Sequence, residues 1–197
     1  MAETILRMYG IQKYFPGVHA LDDARLEVKA GEVMALVGEN GAGKSTLMKI
    51  LTGVYTKDAG TIELFGSPVE IHGPRDAQAK GISIVHQELN LMQDLTVAEN
   101  IFIGREPVKR GFLDKAEQNR MTEELLGSLH LNNISAKTPV KHLTVAKQQM
   151  VEIAKAVSHE SKLLILDEPT AALTQTEVEE LFDIMRDLKS KGIGMIY

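Results

Sequence analysis

An α/β fold follows from three features of the sequence: short apolar runs of strand length, a glycine-rich loop between one such run and a helical segment, and a shift from strand-like to helix-like periodicity in the second half. Val33-Met34-Ala35-Leu36-Val37 is wholly apolar, which suits a strand buried in a parallel sheet. The residues that follow, Gly38-Glu39-Asn40-Gly41-Ala42-Gly43-Lys44-Ser45, fit the pattern G-x-x-x-x-G-K-[ST]. Thr46 to Leu51 then reads as helix, stopped at Gly53. Strand, loop and helix occur in the order that a phosphate-binding loop requires, whereas chance alone gives the string in roughly one per cent of chains this long.

The remaining elements follow from periodicity. Arg25 to Lys29 and Thr61 to Phe65 alternate in polarity like half-exposed strands, while Ile82 to Val85 and Leu163 to Leu166 read as buried ones. Thr96 with Glu99, and Thr174 with Glu177, have capping-box spacing at helix starts. Asp114 is placed to cap a helix with Met121, Leu125 and Leu129 on its apolar face; Met150, Ala154 and Val157 continue the helical period. Val178, Leu181, Phe182, Met185 and Leu188 mark a last amphipathic helix, after which Gly194-Met195-Ile196-Tyr197 begins a strand. A chain ending inside an element is expected of a piece of a longer protein. The expected organisation is one domain over 1–197, with a core of 1–87 and 150–197 and a helical insert over about 88–149.

The loop predicts chemistry directly. Its glycines let the backbone curl so that successive N–H groups and the helix N-terminus face negative charge. Gly38 to Thr46 are therefore the expected phosphate-binding residues, with Lys44 on the β and γ phosphates of a nucleoside triphosphate and the Ser45 hydroxyl on Mg²⁺. Leu163 to Leu166 leads into Asp167-Glu168-Pro169, so two carboxylates stand at the C-terminal end of a buried strand, where open α/β sheets bind ligands. Asp167 is expected to bind Mg²⁺, and Glu168 to polarise the water that attacks the γ phosphate. Gln87, following the strand Ile82 to Val85, is expected to touch the metal or the water, with a mobile segment after it.

Composition bounds the setting. The formal charge of −5 argues against nucleic acid as a partner, since such binders present a net basic surface. No cysteine is present, which excludes disulfides and thiolate metal sites and suits the cytosol. The first residues lack the basic and apolar regions of a secretory signal, and no window is apolar enough to span a bilayer, so a membrane role would be peripheral. The histidines have no metal-ligand spacing, and the nine methionines read as core filler.

The order of phosphate loop, strand-Gln, helices and strand-Asp-Glu resembles the ATP-binding subunit of ABC transporters over essentially the whole chain, which implies a RecA-like P-loop NTPase core with an antiparallel N-terminal sheet and an inserted helical subdomain. Lys13 to Leu21, His86 to Leu91 and Leu95 to Ile101 resemble the branch that imports monosaccharides such as ribose, xylose or galactose. That branch carries two cassettes in one polypeptide, of which this would be the first. The resemblance implies Mg²⁺-dependent ATP hydrolysis at the cytoplasmic side of the bacterial inner membrane. It implies as partners permease subunits, a second cassette in the same chain or a homodimer, and indirectly a periplasmic sugar-binding protein. It places Phe15, or alternatively Tyr14, against the adenine ring, and Leu89, Leu91, Met92 and Leu95 on the permease-docking surface. The family signature falls on Leu143-Thr144-Val145-Ala146-Lys147, where only Leu143 matches outright; Ala146 adds a methyl where close approach is expected and Lys147 adds a charge. The aspartate loop falls on Ala171-Ala172-Leu173-Thr174 without its aspartate, and the switch histidine would lie beyond Tyr197. A poor signature facing a poor second site would leave one competent site per pair, and this chain alone is expected to be nearly inactive. A nucleotide switch without catalysis, or a soluble family member outside transport, are the alternatives.

Overall fold

The computed structural model describes residues 3–39, 41–170 and 173–197. In chain order, strands β1 (Thr4–Phe15), β2 (Val18–Lys29) and β3 (Val33–Met34) precede helix α1 (Lys44–Leu51), followed by β4 (Ala59–Leu64), β5 (Ser67–Val69), α2 (Pro74–Ala79) and β6 (Ile82–Val85). Then come α3 (Val97–Ile101), β7 (Val108–Lys109), β8 (Phe112–Leu113), α4 (Lys115–Ser128), α5 (Val145–Val157), β9 (Leu163–Leu166), α6 (Gln175–Ser190) and β10 (Gly194–Ile196). The chain forms two compact units, one of Met1–Ile84, His159–Asp167 and Leu188–Tyr197, the other of Val85–Ser158 and Glu168–Asp187. The second unit is larger than the insert expected over 88–149. It retains all of α5, which packs on α3, and adds most of α6.

In the first unit, β2, β1, β4 and β5 form an antiparallel sheet. Alternation sets its buried face: Leu6 and Met8 are buried, whereas Arg7 and Tyr9 between and beyond them are exposed. Pro16 and Gly17 close the β1–β2 hairpin in two residues, with Phe15 paired to Val18 and Gly17 at φ 76°. A second sheet has the order β3-β10-β9-β6, with β10 parallel to both β3 and β9. One apolar core takes Leu6, Met8 and Ile62 from the first sheet, Leu163, Ile165 and Ile196 from the second, and Leu47, Ile50 and Leu51 from α1. Met8, Met48, Met150, Met185 and Met195 are buried, as filler should be.

β3 is shorter than the expected strand over 33–37. It pairs only with the three-residue β10, and beyond the bond from Leu36 N–H to the Tyr197 carbonyl, at 2.8 Å, Val37 is 89% exposed.

The β1–β4 ladder crosses a close approach at two glycines. Gly60 has φ +93°, and a Cβ there would lie 2.4 Å from the Gly10 carbonyl oxygen and 2.7 Å from the Ile11 nitrogen, both rigid backbone. Gly60→Ala is therefore expected to destabilise the protein by about 2–5 kcal/mol, combining left-handed strain with overpacking. Gly66→Ala is the control: φ is +76° but nothing lies within 4 Å, so only about 1–2 kcal/mol of strain is expected. Urea denaturation of both variants checks the difference, and equal losses would remove the steric part.

In the second unit, Thr96 forms the expected capping box with Glu99 at the start of α3, and the Asp114 side chain accepts the Glu117 N–H at the start of α4. α4 differs from expectation in the face it buries. Gln118, Thr122, Leu126 and Leu129 are buried, while Met121 and Leu125 are only half-buried. The polar pair is tolerated because both side chains are satisfied: Gln118 Nε2 donates to the Ala98 carbonyl at 3.2 Å and Thr122 Oγ1 to the Gln118 carbonyl at 2.8 Å. α5 buries Met150 and Ala154 as its periodicity requires, with Val157 half-buried. In α6, Leu181, Ile184, Met185 and Leu188 are buried, whereas Phe182 is 38% exposed.

Candidate functional site

β3 runs into the glycine loop, and the loop into α1, whose first residue is Lys44. Gly43 is the N-cap at φ 84°, with no side chain capping the helix and no acid in its first turn. Among the longer described helices α1 is unusual in this, since Asp114 caps α4 and Thr144 caps α5. Among the described residues no side chain therefore caps the first-turn N–H groups at the positive end of the helix dipole, a condition that favours anion binding. Gly43 admits no other residue: a Cβ would stand 2.6 Å from Leu21 Cδ2 and 2.8 Å from the Ala20 carbonyl oxygen. Gly41 has open space but φ 86°, which again favours glycine. Lys44 Nζ donates to the carbonyls of Gly38 and, at 2.9 Å, of Glu39, so the ammonium lies across the loop. Glu39, Ala42 and Ser45 are exposed, Thr46 is half-buried, and Asn40 lies outside the described residues.

Because β3, β10 and β9 are parallel, the loop after β3 and Asp167 after β9 lie at the same edge of the sheet, with β10 between them. Asp167 is exposed there. No group of three or more His, Cys, Asp or Glu able to hold a metal ion occurs among the described residues. A divalent cation at this edge would need a ligand's oxygens to complete its shell, and Ser45 and Asp167 are the protein groups that could contribute oxygen to it.

The next residue, Glu168, belongs to the second unit and has φ 47°, in the left-handed region that a non-glycine residue enters at a cost of about 1–2 kcal/mol. Its side chain is exposed while Pro169 is buried. Gln87 is also exposed. The segment after Gln87 differs from the expected mobile one, being tied within the second unit at many points. Asn90 N–H donates to Glu152 Oε1 at 2.6 Å, Gln93 Nε2 to Gln148 Oε1 at 3.1 Å, and Met92 N–H to Oδ1 of the fully buried Asn100 at 2.7 Å. Asn100 Nδ2 in turn donates to the carbonyls of Met92 and Thr96, both at 3.0 Å. The expected apolar docking set is corrected accordingly: Leu91 is buried, Leu89 and Leu95 are half-buried, and only Met92, at 56%, is well exposed.

The signature-like stretch opens α5. Leu143 follows a short 3-10 turn at Val140–His142, and Thr144 is the N-cap, its hydroxyl accepting the Lys147 N–H at 3.3 Å. Val145 is 51% exposed and Ala146 is buried, so residue 146 is part of the unit's packing. Lys147 Nζ donates to the Asn133 carbonyl at 3.4 Å. Of the aspartate-loop equivalents, Ala171 and Ala172 lie outside the described residues. Thr174 donates from N–H and Oγ1 to Glu177 Oε2, each at 2.8 Å, which holds the Glu177 carboxyl below its usual range.

The aromatic residues stand at the closed end of the β1–β2 hairpin. Tyr14 stacks on His19 at 4.2 Å, and Phe15 meets Tyr55 edge-on at 5.2 Å, with Lys13 Nζ 5.4 Å from the Phe15 ring centre. Lys13 is 9% exposed, and its charge is met by Asp58 Oδ1 at 3.1 Å. Lys13, Tyr55 and Asp58 were not singled out by the sequence: Asp58 and Lys13 are 45 positions apart, and no local pattern joins them.

The profile of the ABC transporter family matches residues 21–171. A Burkholderia cenocepacia protein provisionally named ribose/galactose/methyl galactoside import ATP-binding protein 2 is 59% identical over 197 residues, covering 99% of this chain and 38% of its own length. A Rhizobium etli protein of the same name is 56% identical over 197 residues, covering 100% of this chain and 38% of its own. The chain thus spans less than two fifths of the length of these curated relatives. Among solved structures, the ADP conformation of MJ1267, an ATP-binding cassette of an ABC transporter, aligns with a TM-score of 0.85 at 27% identity, covering 98% of this chain and 80% of that one. cbiO1 from Clostridium perfringens, part of the ABC transporter complex cbiONQ, aligns at 0.82 and 26% identity, covering 98% and 77%.

Proposed function

The chain belongs to the ATP-binding domains of the ABC transporter family, with the P-loop α/β fold of its solved relatives, and on that premise we propose that it binds MgATP and forms the hydrolysing part of a bacterial monosaccharide importer. The observation that carries this reading is the uncapped N-terminus of α1 behind Gly43, with the Lys44 ammonium and Asp167 at the same sheet edge. Backbone N–H groups from Gly41 to Thr46 take the phosphate oxygens, and Lys44 exchanges its carbonyl partners for the β and γ phosphates. Ser45 and Asp167 would hold Mg²⁺, which when bound would supply positive charge to the phosphate oxygens. Glu168 accepts a proton from the attacking water, and Phe15 stacks on the base.

The names of the relatives support ribose, galactose or a related sugar as the cargo. Their greater length leaves room for a second cassette in the same chain; pairing with another copy is the alternative. Permease subunits and, through them, a periplasmic binding protein complete the machine at the cytoplasmic face of the inner membrane. No described helix is long and apolar enough to cross a membrane. Uptake of labelled ribose and galactose by a strain lacking the gene tests the reading. Unimpaired uptake of both sugars would refute the assigned cargo.

A switch without catalysis draws on one observation, the departures at Ala146 and Lys147. Their geometry yields a prediction. Ala146 is buried at the start of α5, so Ala146→Gly combined with Lys147→Gln removes packing and helix propensity worth about 1 kcal/mol. In the full-length protein the double change is expected to lower the melting temperature slightly and to alter steady-state turnover less than Glu168→Gln does. A rate increase above about tenfold would instead show a competent opposite site held back by these two residues.

A further inference from the structure

The β1–β4 ladder stops at the pair Gln12 and Ala59, three residues short of the end of β1 at Phe15. The Asp58 carboxylate continues it. Asp58 N–H donates to the Gln12 carbonyl at 2.9 Å, and its Oδ2 accepts the Tyr14 N–H at 2.6 Å, in the place a strand carbonyl would have taken. Oδ1 accepts from Lys13 Nζ, which stands beside the Phe15 ring. A buried ammonium requires a counter-charge, so Lys13 holds this position only while Asp58 is ionised. The Tyr14 N–H first, and Lys13 second, lower the Asp58 pKa, so the carboxylate is charged throughout the physiological range. The Phe15 ring also meets Tyr55, whose N–H donates to the Lys49 carbonyl of α1 at 3.0 Å. The aromatic end of the hairpin is thereby tied to the helix that begins at the phosphate loop.

We propose that Asp58 is a positioning residue for nucleotide binding: through the Tyr14 N–H and the Lys13 ammonium it fixes the Phe15 ring at the place where an adenine base stacks. This rests on the MgATP reading above. A surface ion pair with no such role would contribute to stability alone, whereas here the two bonds of the carboxylate go to Lys13 and Tyr14, the two residues that lead into Phe15.

A double-mutant cycle on MgATP affinity, measured by calorimetry, separates the two roles. Asp58→Asn keeps the shape and one acceptor but loses the charge that holds Lys13, and is expected to raise Kd about three- to tenfold. Phe15→Ala is expected to raise it about tenfold by removing the stacking face. The double variant should bind like Phe15→Ala alone, because Asp58 has no ring left to position. Independent, multiplying losses would overturn the proposal, as would an Asp58→Asn variant that binds like the parent. Should Asp58→Asn not fold, Lys13→Met removes the same ammonium from beside the ring and takes its place in the cycle with the same two outcomes. Failure of the unsubstituted chain to bind MgATP would sink the nucleotide reading itself, which is a separate result.

Discussion

Glu168→Gln in the full-length protein is expected to leave MgATP affinity unchanged and to lower phosphate release by about a hundredfold or more, the scale of a lost general base. The substitution is nearly isosteric, and Gln87 and Asp167 are untouched, so binding has no reason to fall. The backbone supplies a second readout. Glu168 holds φ 47°, and Glu168→Gly removes that strain, so the glycine variant is expected to be more stable by up to about 1 kcal/mol while turning over no faster than the glutamine variant. A residue kept in an unfavourable conformation, at a position where removing it stabilises the fold and stops turnover, is retained for chemistry. Titration with labelled ATP, a phosphate-release assay and thermal denaturation give the three measurements. Equal losses of affinity and turnover would make Glu168 a structural or metal-site residue, and the base would have to be sought elsewhere.

The candidate site was legible where its chemistry is contiguous in sequence. The phosphate loop, the strand leading into Asp167 and Glu168, and the caps Thr96 and Asp114 each depend on residues within a few positions of one another, and the structure has these elements where they were read. Long-range satisfaction was not legible. Gln118 lies outside the apolar face expected from Met121, Leu125 and Leu129, yet it is buried, because the Ala98 carbonyl, 20 positions away, accepts its amide hydrogen. Leu91 looked like part of an exposed docking set, but the bonds of Asn90 to Glu152 and of Met92 to Asn100 fold its segment inward. The apolar run from Val33 to Val37 suggested a full strand, of which only Val33–Met34 is paired as strand here. Nothing in the sequence joins Lys13 to Asp58; only the fold brings them together.

Lys44→Ala is expected to raise the Kd for MgATP by well over tenfold, a loss of more than about 1.4 kcal/mol. Lys44 Nζ already donates to the carbonyls of Gly38 and Glu39, so the side chain is held across the loop before any phosphate arrives, and little rotamer entropy remains to be lost on binding. What changes on binding is the acceptor. Neutral carbonyl oxygens would give way to charged phosphate oxygens, so the ammonium would exchange ion–dipole bonds for ion pairs with their larger Coulomb attraction. The α1 N-terminus still offers its N–H groups in the variant, so weak binding persists and remains sensitive to salt, while the cation is gone. Folding should be nearly unaffected, because Leu47, Ile50 and Leu51 carry the packing of α1 and Lys44 is not among the buried residues. The discriminating result is therefore a large loss of affinity at an unchanged melting temperature in the absence of nucleotide. A Kd within tenfold of the parent's would mean that Lys44 does not leave its carbonyl partners for the phosphates, and that the N–H groups of the loop supply the affinity alone.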